Sequence, residues 1–218
     1  MEPTGEQTSA THDHVVRVWL DDRPGALAAV AARIGAVGGN VVGIEILEQG
    51  AGRVIDELVV QLPDPERVAL LVSEVQEIEG VDVESVRPVA GAVHDRHVDM
   101  LDLAVDIVAA PTTPAALRAL CDGVIDAFGA TWAAVVDPAT GVLGGCGDRP
   151  ADAWVVAFVD GALESPAGVL GAGEVAVVVL EPGELVLVVD RTGEPFRERE
   201  RRWLGSLGRV TGAALRPR

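Results

Sequence analysis

The residues with the clearest chemical potential lie where a short apolar segment gives way to a helix. Asp22 is placed to cap that helix, because its side chain can accept hydrogen bonds from free N–H groups of the first turn. Pro24 suits that turn, since it lacks an N–H group. The free N–H groups and the positive end of the helix dipole favour a small anion there. Asn40 follows the next glycine turn, and we expect it to come near and add an amide. The alternative is that Asp22 only caps the helix and Asn40 only forms the turn.

The apolar pattern predicts a strand, a helix and a second strand around this loop. The helix carries apolar residues at positions i, i+3, i+4 and i+7, and Gly38 and Gly39 can end it by adopting positive φ. The predicted strands cover residues 15–20 and 41–47, and the helical stripe consists of Leu27, Val30, Ala31 and Ile34.

The next segment predicts a strand, a helix and a final strand. Residues 53–62 alternate between apolar and polar, with Asp56 as an exception on the apolar face. Asp64 and Pro65 are typical of a helix start, and apolar residues at helical spacing follow them. A short alternating strand then covers residues 81–87. The order βαββαβ, with one apolar face on each helix, predicts an α+β ferredoxin-like sandwich with both helices on one face of an antiparallel sheet.

The motif D-R-P-G-A-L after the first strand, followed by G-G-N-V before the second, resembles the opening of an ACT domain. That family binds amino acids and regulates the proteins that carry it. The resemblance implies that an amino acid binds at the first strand–helix loop, and that two ACT domains pair, often with the ligand between them. The implied ligand-binding residues are Asp21, Asp22, Arg23, Pro24, Gly25, Ala26, Leu27, Asn40 and Val41. A solvent-facing Arg23 is the alternative to one that pairs with a ligand carboxylate.

A second α+β domain is predicted in the rest of the chain. Its pattern contains a helix from Pro114 to Phe128, two short strands, an apolar segment at residues 151–163, a hairpin of two strands and a closing helix from about Arg197. Residues 99–110 fit both a helix and a strand. The predicted domain organisation is a disordered tail at residues 1–12, the ACT-like domain at 13–90, a linker at 91–98 and the second domain at 99–218.

The last forty residues combine a basic residue at the end of a late strand, a turn leading to Pro-Phe and a glutamate near the start of the last helix. These are Arg191, Pro195, Phe196 and Glu200. The combination resembles the closing strand and helix of a GAF domain, a family of small-molecule-sensing or dimerising modules. The middle of the domain, where that family builds its pocket, is short here. Dimerisation or a scaffold role is therefore favoured at least as much as ligand binding.

Composition excludes several classes of function. The net charge of −17 disfavours direct binding to nucleic acid. All 17 basic residues are arginine, and without lysine there is neither a P-loop lysine nor a Schiff base. No apolar run reaches the roughly 18 residues of a membrane span, and the polar N-terminus does not resemble a signal peptide. We therefore expect a cytoplasmic protein that does not bind membranes.

The remaining reactive residues form no catalytic or metal-binding pattern. Cys146 lies close to Arg149, but no histidine lies nearby in the sequence to act as its base. The glycines around Cys146 lack phosphate-binding spacing and indicate a turn. The histidines at positions 12, 14, 94 and 97 lack enough identifiable partners for a metal site. The alternating charges of residues 197–202 are typical of a solvated helix face. We predict no metal, no cofactor and no enzymatic activity.

The sequence therefore predicts a non-enzymatic regulatory protein. It would bind an amino acid at the first loop, form a homodimer through the ACT-like domain and pass the signal to a partner protein. The acidic surface suits a partner with a basic one. Two alternatives stay open, a ligand-free dimerisation scaffold and an enzyme that uses Cys146.

Overall fold

The computed structural model describes residues 12–89, 95–164 and 173–216 of the 218-residue chain. The chain divides into two compact units, Met1–Val93 and His94–Arg218, called here the first and the second unit. Each is a mixed α+β structure built on one four-stranded antiparallel sheet. The predicted tail, apart from its last residue, lies outside the described residues. Within the described ranges, no helix is both long enough and apolar enough to cross a membrane.

The first unit has the predicted order of elements. Its strands and helices are β1 (His12–Asp21), α1 (Ala26–Ala36), β2 (Asn40–Gly50), β3 (Arg53–Leu62), a short 3₁₀ turn (Pro65–Arg67), α2 (Val68–Gln76) and β4 (Val81–Pro88). The strands lie in the order β2-β3-β1-β4, and every neighbouring pair is antiparallel. This confirms the βαββαβ ferredoxin-like prediction.

The core of the first unit forms where the apolar faces of sheet and helices meet. Alternate residues of β1 and β3 face α1 and α2, as the period of two requires. The fully buried side chains include Val16, Val18, Leu20, Val30, Ile34, Leu58, Val60, Leu62, Leu71 and Val75. Burying one such side chain contributes about 1.5–3 kcal/mol, so this cluster stabilises the sandwich and holds the loop between β1 and α1 in place.

The two helix starts differ from each other. Asp64 accepts a hydrogen bond from the Glu66 N–H at 2.9 Å, which confirms the predicted cap. The predicted start of α1 is wrong, because the helix begins at Ala26 after Gly25, and no side chain of the described residues caps it. Gly25 has φ 90°, a left-handed conformation that strains any residue with a Cβ atom. The chain therefore enters α1 through a glycine turn, which leaves the Asp22 side chain for other contacts.

The second unit begins with two helices. Its elements are α3 (Arg96–Ala109), α4 (Thr113–Phe128), β5 (Trp132–Asp137), β6 (Gly141–Gly147), α5 (Asp152–Leu163), β7 (Val175–Val179), β8 (Val186–Asp190) and α6 (Glu198–Ala214). The sheet order is β6-β5-β8-β7, with all pairs antiparallel. The sequence allowed a helix or a strand for residues 99–110, and all of these except Ala110 belong to helix α3. That helix begins inside the segment predicted as a linker, and Asp95 caps it by accepting from the His97 N–H at 2.9 Å.

Helices cover both faces of the second sheet. Helices α4 and α6 pack on one face, where Leu120, Leu187 and Leu204 are fully buried, and α3 packs against these two helices. Helix α5 packs on the other face through Val155 and Val159. The glycine-rich segment predicted as a turn is instead strand β6. At Gly147 an added Cβ would lie 2.3 Å from the Thr131 carbonyl oxygen, so only glycine allows this close approach.

A buried ion pair joins the last strand to the last helix of the second unit. Arg191 donates from Nη1 and Nη2 to the two carboxylate oxygens of Glu200, at 2.7 and 2.9 Å. It also donates to the carbonyl oxygens of Phe128 and Pro195, at 3.0 and 2.9 Å. Both side chains are almost fully buried. The prediction that residues 197–202 form a solvated face is therefore wrong for Glu200, whose charge lies inside the unit.

Candidate functional site

The loop between β1 and α1 is anchored by backbone hydrogen bonds to two neighbouring turns. The Asp21 N–H donates to the Gly80 carbonyl at 3.2 Å, and the Asp22 N–H donates to the Gly52 carbonyl at 2.9 Å. The Arg23 N–H donates to the Asp21 carbonyl at 2.8 Å, which makes the chain turn sharply towards α1. The predicted residues 21–27 thus comprise the end of β1, the anchored loop of residues 22–25 and the start of α1.

The first turn of α1 offers N–H groups to a ligand. Ala26 donates to the Arg23 carbonyl at 3.3 Å, and Ala29 donates to the Gly25 carbonyl at 3.0 Å. Within the described residues, no acceptor contacts the N–H groups of Leu27 and Ala28, as is usual in the first turn of a helix. Space is open beside the loop, because a Cβ atom added at Gly25 would meet nothing within 4 Å. The arrangement suits a small anion.

The charged side chains of the loop point to local partners. Asp22 Oδ2 accepts a hydrogen bond from Gln49 Nε2 at 2.8 Å, in place of the predicted helix-capping bond. Arg23 Nε lies 3.8 Å from Asp21 Oδ2, and Arg53 Nε lies 4.0 Å from Asp21 Oδ1. These pairs are half-exposed, so each contributes little to stability. Arg23 therefore remains accessible at the rim of the loop.

Asn40 and Val41 lie at the other end of the sheet from this loop. Asn40 pairs with Gln61 of β3, whereas Asp21 pairs with Arg53 of the same strand. Eight residues of β3 separate these two partners, a distance of about 26 Å along the strand. The expectation that Asn40 comes near the loop within one copy of the chain is therefore wrong.

Asp56 is a residue that the sequence marked only as an exception on an apolar face. It lies on β3, opposite Val18 of β1 and Ile46 of β2, on the face covered by the helices. The residue is 2% exposed, and its Oδ1 atom contacts no hydrogen-bond donor within the described residues. The pKa of Asp56 is raised to about 6, mainly by burial and to a smaller extent by the Asp22 carboxylate. The ionisation of this buried carboxylate therefore depends on the charge of Asp22 in the loop.

In the described parts of the chain, the outer edge of the sheet is open at β2, whose one neighbouring strand is β3. Val42, Ile44 and Ile46 of this strand are 40%, 49% and 48% exposed. Ile44 and Ile46 oppose Leu58 and Asp56 of β3 and so lie on the helix-covered side of the sheet. An apolar edge strand with unpaired backbone groups favours pairing with a further strand.

The cysteines of the second unit do not have the environment of a reactive thiolate. Burial raises the pKa of Cys146 to about 11, and the Asp122 carboxylate adds to this effect. Burial raises the pKa of the neighbouring Cys121 to about 12. Both thiols are therefore protonated at neutral pH, which counts against nucleophilic use of Cys146. In the described parts of the chain, no group of three or more His, Cys, Asp or Glu side chains could hold a metal ion.

Comparison with known families concerns the first unit. Residues 14–80 match the family model of the ACT domain. The matched segment runs from β1 through α2 and includes the loop, Asn40 and Asp56. It covers less than half of the chain, and the second unit lies outside it. No curated protein matches the sequence.

Several solved structures are similar to parts of the chain. The ACT domain of the GTP pyrophosphokinase of Chlorobium tepidum shows 15% identity over 36% of this chain and 99% of its own, with a TM-score of 0.30. An ACT domain protein from Streptococcus pneumoniae shows 16% identity over 39% of this chain and 100% of its own, with a TM-score of 0.31. An unknown protein from Galdieria sulphuraria shows 17% identity over 92% of both chains, with a TM-score of 0.33. At these values the similarities carry no inference about function.

Proposed function

We propose that the chain is a non-enzymatic regulatory protein that senses an amino acid through its ACT domain. The observation that carries this proposal is the start of α1, where the free N–H groups of Leu27 and Ala28 adjoin an open glycine turn. A ligand carboxylate would accept hydrogen bonds from these groups. The family match at residues 14–80 supports a regulatory, ligand-binding role for this unit.

Pairing of two copies through β2 would complete the site. Antiparallel pairing of the two edge strands near their middle extends the sheet to eight strands and buries Ile44 and Ile46. It also places the start of one β2 beside the end of the other. Asn40 of the partner subunit then lies next to Gln49 and the loop that holds Asp22. In this arrangement Asn40 and Val41 join residues 21–27 at one ligand.

Signalling follows from a change in the pairing of the two copies. A ligand that bridges them shifts their arrangement only as far as it binds one arrangement more tightly than another. We assign the second unit, GAF-like in sequence, to the contact with a partner protein in the cytoplasm. The net charge of −17 favours a partner with a basic surface.

Thermal unfolding of the full chain in the presence of each of the twenty amino acids tests this proposal. A ligand present at about 100 times its Kd stabilises the folded protein by roughly 2.7 kcal/mol. For a unit of this size, each kcal/mol raises the unfolding midpoint by about 4–8 °C. We expect one amino acid, or a few related ones, to produce such a shift.

Substitution of the amide in β2 provides the control. Asn40→Ala should remove the shift, whereas Gln76→Ala, which removes an exposed amide at the end of α2, should retain it. A dimer that responds to none of the twenty amino acids would contradict the sensing role.

A ligand-free dimerisation scaffold is the second candidate, and helix α3 supplies the observation that favours it. Val98, Leu101, Val105 and Val108 are each at least half exposed and recur at the spacing of a coiled-coil seam. Such a stripe can pair helices without any small molecule. This candidate predicts a dimer that the twenty amino acids leave unchanged.

A further inference from the structure

Asp56 lies in the half of β3 that is nearer the loop, and its side chain is buried. Its backbone lies three residues from Arg53, which pairs with Asp21 at the loop end of the sheet. Its side chain lies on the helix-covered face, beside the partly exposed Ile46 of the edge strand. The residue interacts electrostatically with Asp22, which is part of the loop itself.

Neither Asp56 nor Asp22 has a positively charged partner within the described residues. Asp22 accepts its hydrogen bond from the neutral Gln49 amide, and the nearby Arg23 and Arg53 lie against Asp21 instead. Among the residues that the structure describes, no donor contacts the buried Oδ1 atom of Asp56. An unpaired buried carboxylate beside a second carboxylate is costly, and a cation between them would offset that cost.

We propose that Asp56, together with Asp22, receives the ammonium group of the ligand, so that the site takes amine-bearing zwitterions and rejects acids that lack the amine. The proposal rests on the sensing function proposed above and names the group that selects the ligand. The N–H groups at the start of α1 take the carboxylate of the zwitterion, and the two aspartates take its positive charge. The raised pKa of Asp56 agrees with a carboxylate that lacks a counter-charge in the ligand-free protein.

The test compares each effective amino acid with the acid in which a hydroxyl group replaces its amine. Binding to the full chain is measured by titration calorimetry, for the original sequence and for Asp56→Asn. We expect the hydroxy acid to bind at least tenfold more weakly, because it cannot form the charged contact. Asp56→Asn should weaken the binding of the amino acid by roughly tenfold to a hundredfold, which is the range for the loss of a hydrogen bond to a charged group. The same variant should leave the weak binding of the hydroxy acid unchanged.

A matched variant controls for the loss of one negative charge. Asp82→Asn removes a carboxylate from β4 that is exposed and paired with Arg53, on the face of the sheet away from the helices. It should leave the affinity for the amino acid unchanged. An amino acid that binds the Asp56→Asn variant as tightly as the original protein would overturn the role of Asp56, while the sensing function would stand.

Methylammonium chloride gives a readout that needs no amino-acid ligand. The carboxyl carbon resonance of Asp56, assigned by its absence in Asp56→Asn, reports the ionisation of this group. A bound ammonium stabilises the carboxylate, so methylammonium should lower the pKa of Asp56, whereas tetramethylammonium, which cannot donate a hydrogen bond, should lower it less. Equal responses to the two salts would reject Asp56 as an ammonium site. If the twenty amino acids fail to bind while the methylammonium response is present, the sensing function fails and the ammonium site remains.

Discussion

At the scale of single residues, Asp56 links folding of the first unit to pH. Its pKa is raised from 3.8 to about 6, because burial and the Asp22 carboxylate disfavour the ionised form. The folded state therefore binds more protons than the unfolded state between these values. The stability that this group contributes is fully present below pH 4 and is lost as the pH rises through 6.

Replacement of Asp56 by asparagine should remove this pH dependence. The variant keeps the shape of the side chain and cannot ionise, so the folded protein no longer holds an unpaired buried charge. At pH 7.5 we expect Asp56→Asn to be more stable than the original protein by about 2–3 kcal/mol, and at pH 4 to be close to it. Urea unfolding at both pH values measures the difference. Equal destabilisation at the two pH values would show that Asp56 makes a structural contact instead.

At the scale of elements, the buried Arg191–Glu200 pair ties α6 to β8 in the second unit. The pair is bidentate, and the arginine also bonds to carbonyl groups at the end of α4 and in the turn before α6. In Glu200→Gln the buried Arg191 loses its bidentate carboxylate, although Glu194 Oε2 still lies 3.3 Å from its Nε atom. We expect Glu200→Gln to lower the free energy of unfolding of the second unit by about 3–5 kcal/mol.

The exposed pair between Glu198 and Arg202 on the same helix is a natural comparison. Both side chains are more than half exposed, so solvent screens their attraction. Arg202→Gln should change stability by less than about 0.5 kcal/mol in the same denaturant experiment. Similar losses for Glu200→Gln and Arg202→Gln would mean that the buried pair is not a main contact of α6.

At the scale of the whole molecule, assembly through β2 is a prediction that one charged substitution can test. Ile44 is half exposed in the middle of this edge strand. If the dimer buries this position, a charged side chain there is not tolerated. We therefore expect Ile44→Glu to convert the dimer to a monomer, because an unpaired carboxylate in an apolar contact is strongly disfavoured. Size-exclusion chromatography with light scattering gives the mass directly.

Leu70→Glu is the control for this substitution. Leu70 is also about half exposed, but it lies on α2 and not on the edge strand. The Leu70→Glu variant should keep the mass of the original protein. If Ile44→Glu remains a dimer, the β2 contact is rejected, and the exposed stripe of α3 becomes the leading contact surface.

The element order and the location of the loop followed from the sequence by itself. Apolar residues at spacings of two and of 3.6 define strands and helices locally, and glycine and proline mark where they end. That is why strand β3 was predicted to the residue and the βαββαβ order was predicted without a structure. Residues 99–110 show the limit of this approach, because their apolar positions fit both periods.

The tertiary structure alone decided which distant residues meet. Asn40 follows a turn that the sequence locates, but the pairing of β2 with β3 carries it to the far end of the sheet. The local pattern marked Asp56 only as an exception on an apolar face, but in the folded unit it is a buried carboxylate whose Oδ1 atom has no donor within the described residues. The pattern placed Glu200 on a solvated face, but in the folded unit it is buried and paired with Arg191. These properties depend on strand register and on burial by segments far away in the chain, which a local pattern does not encode.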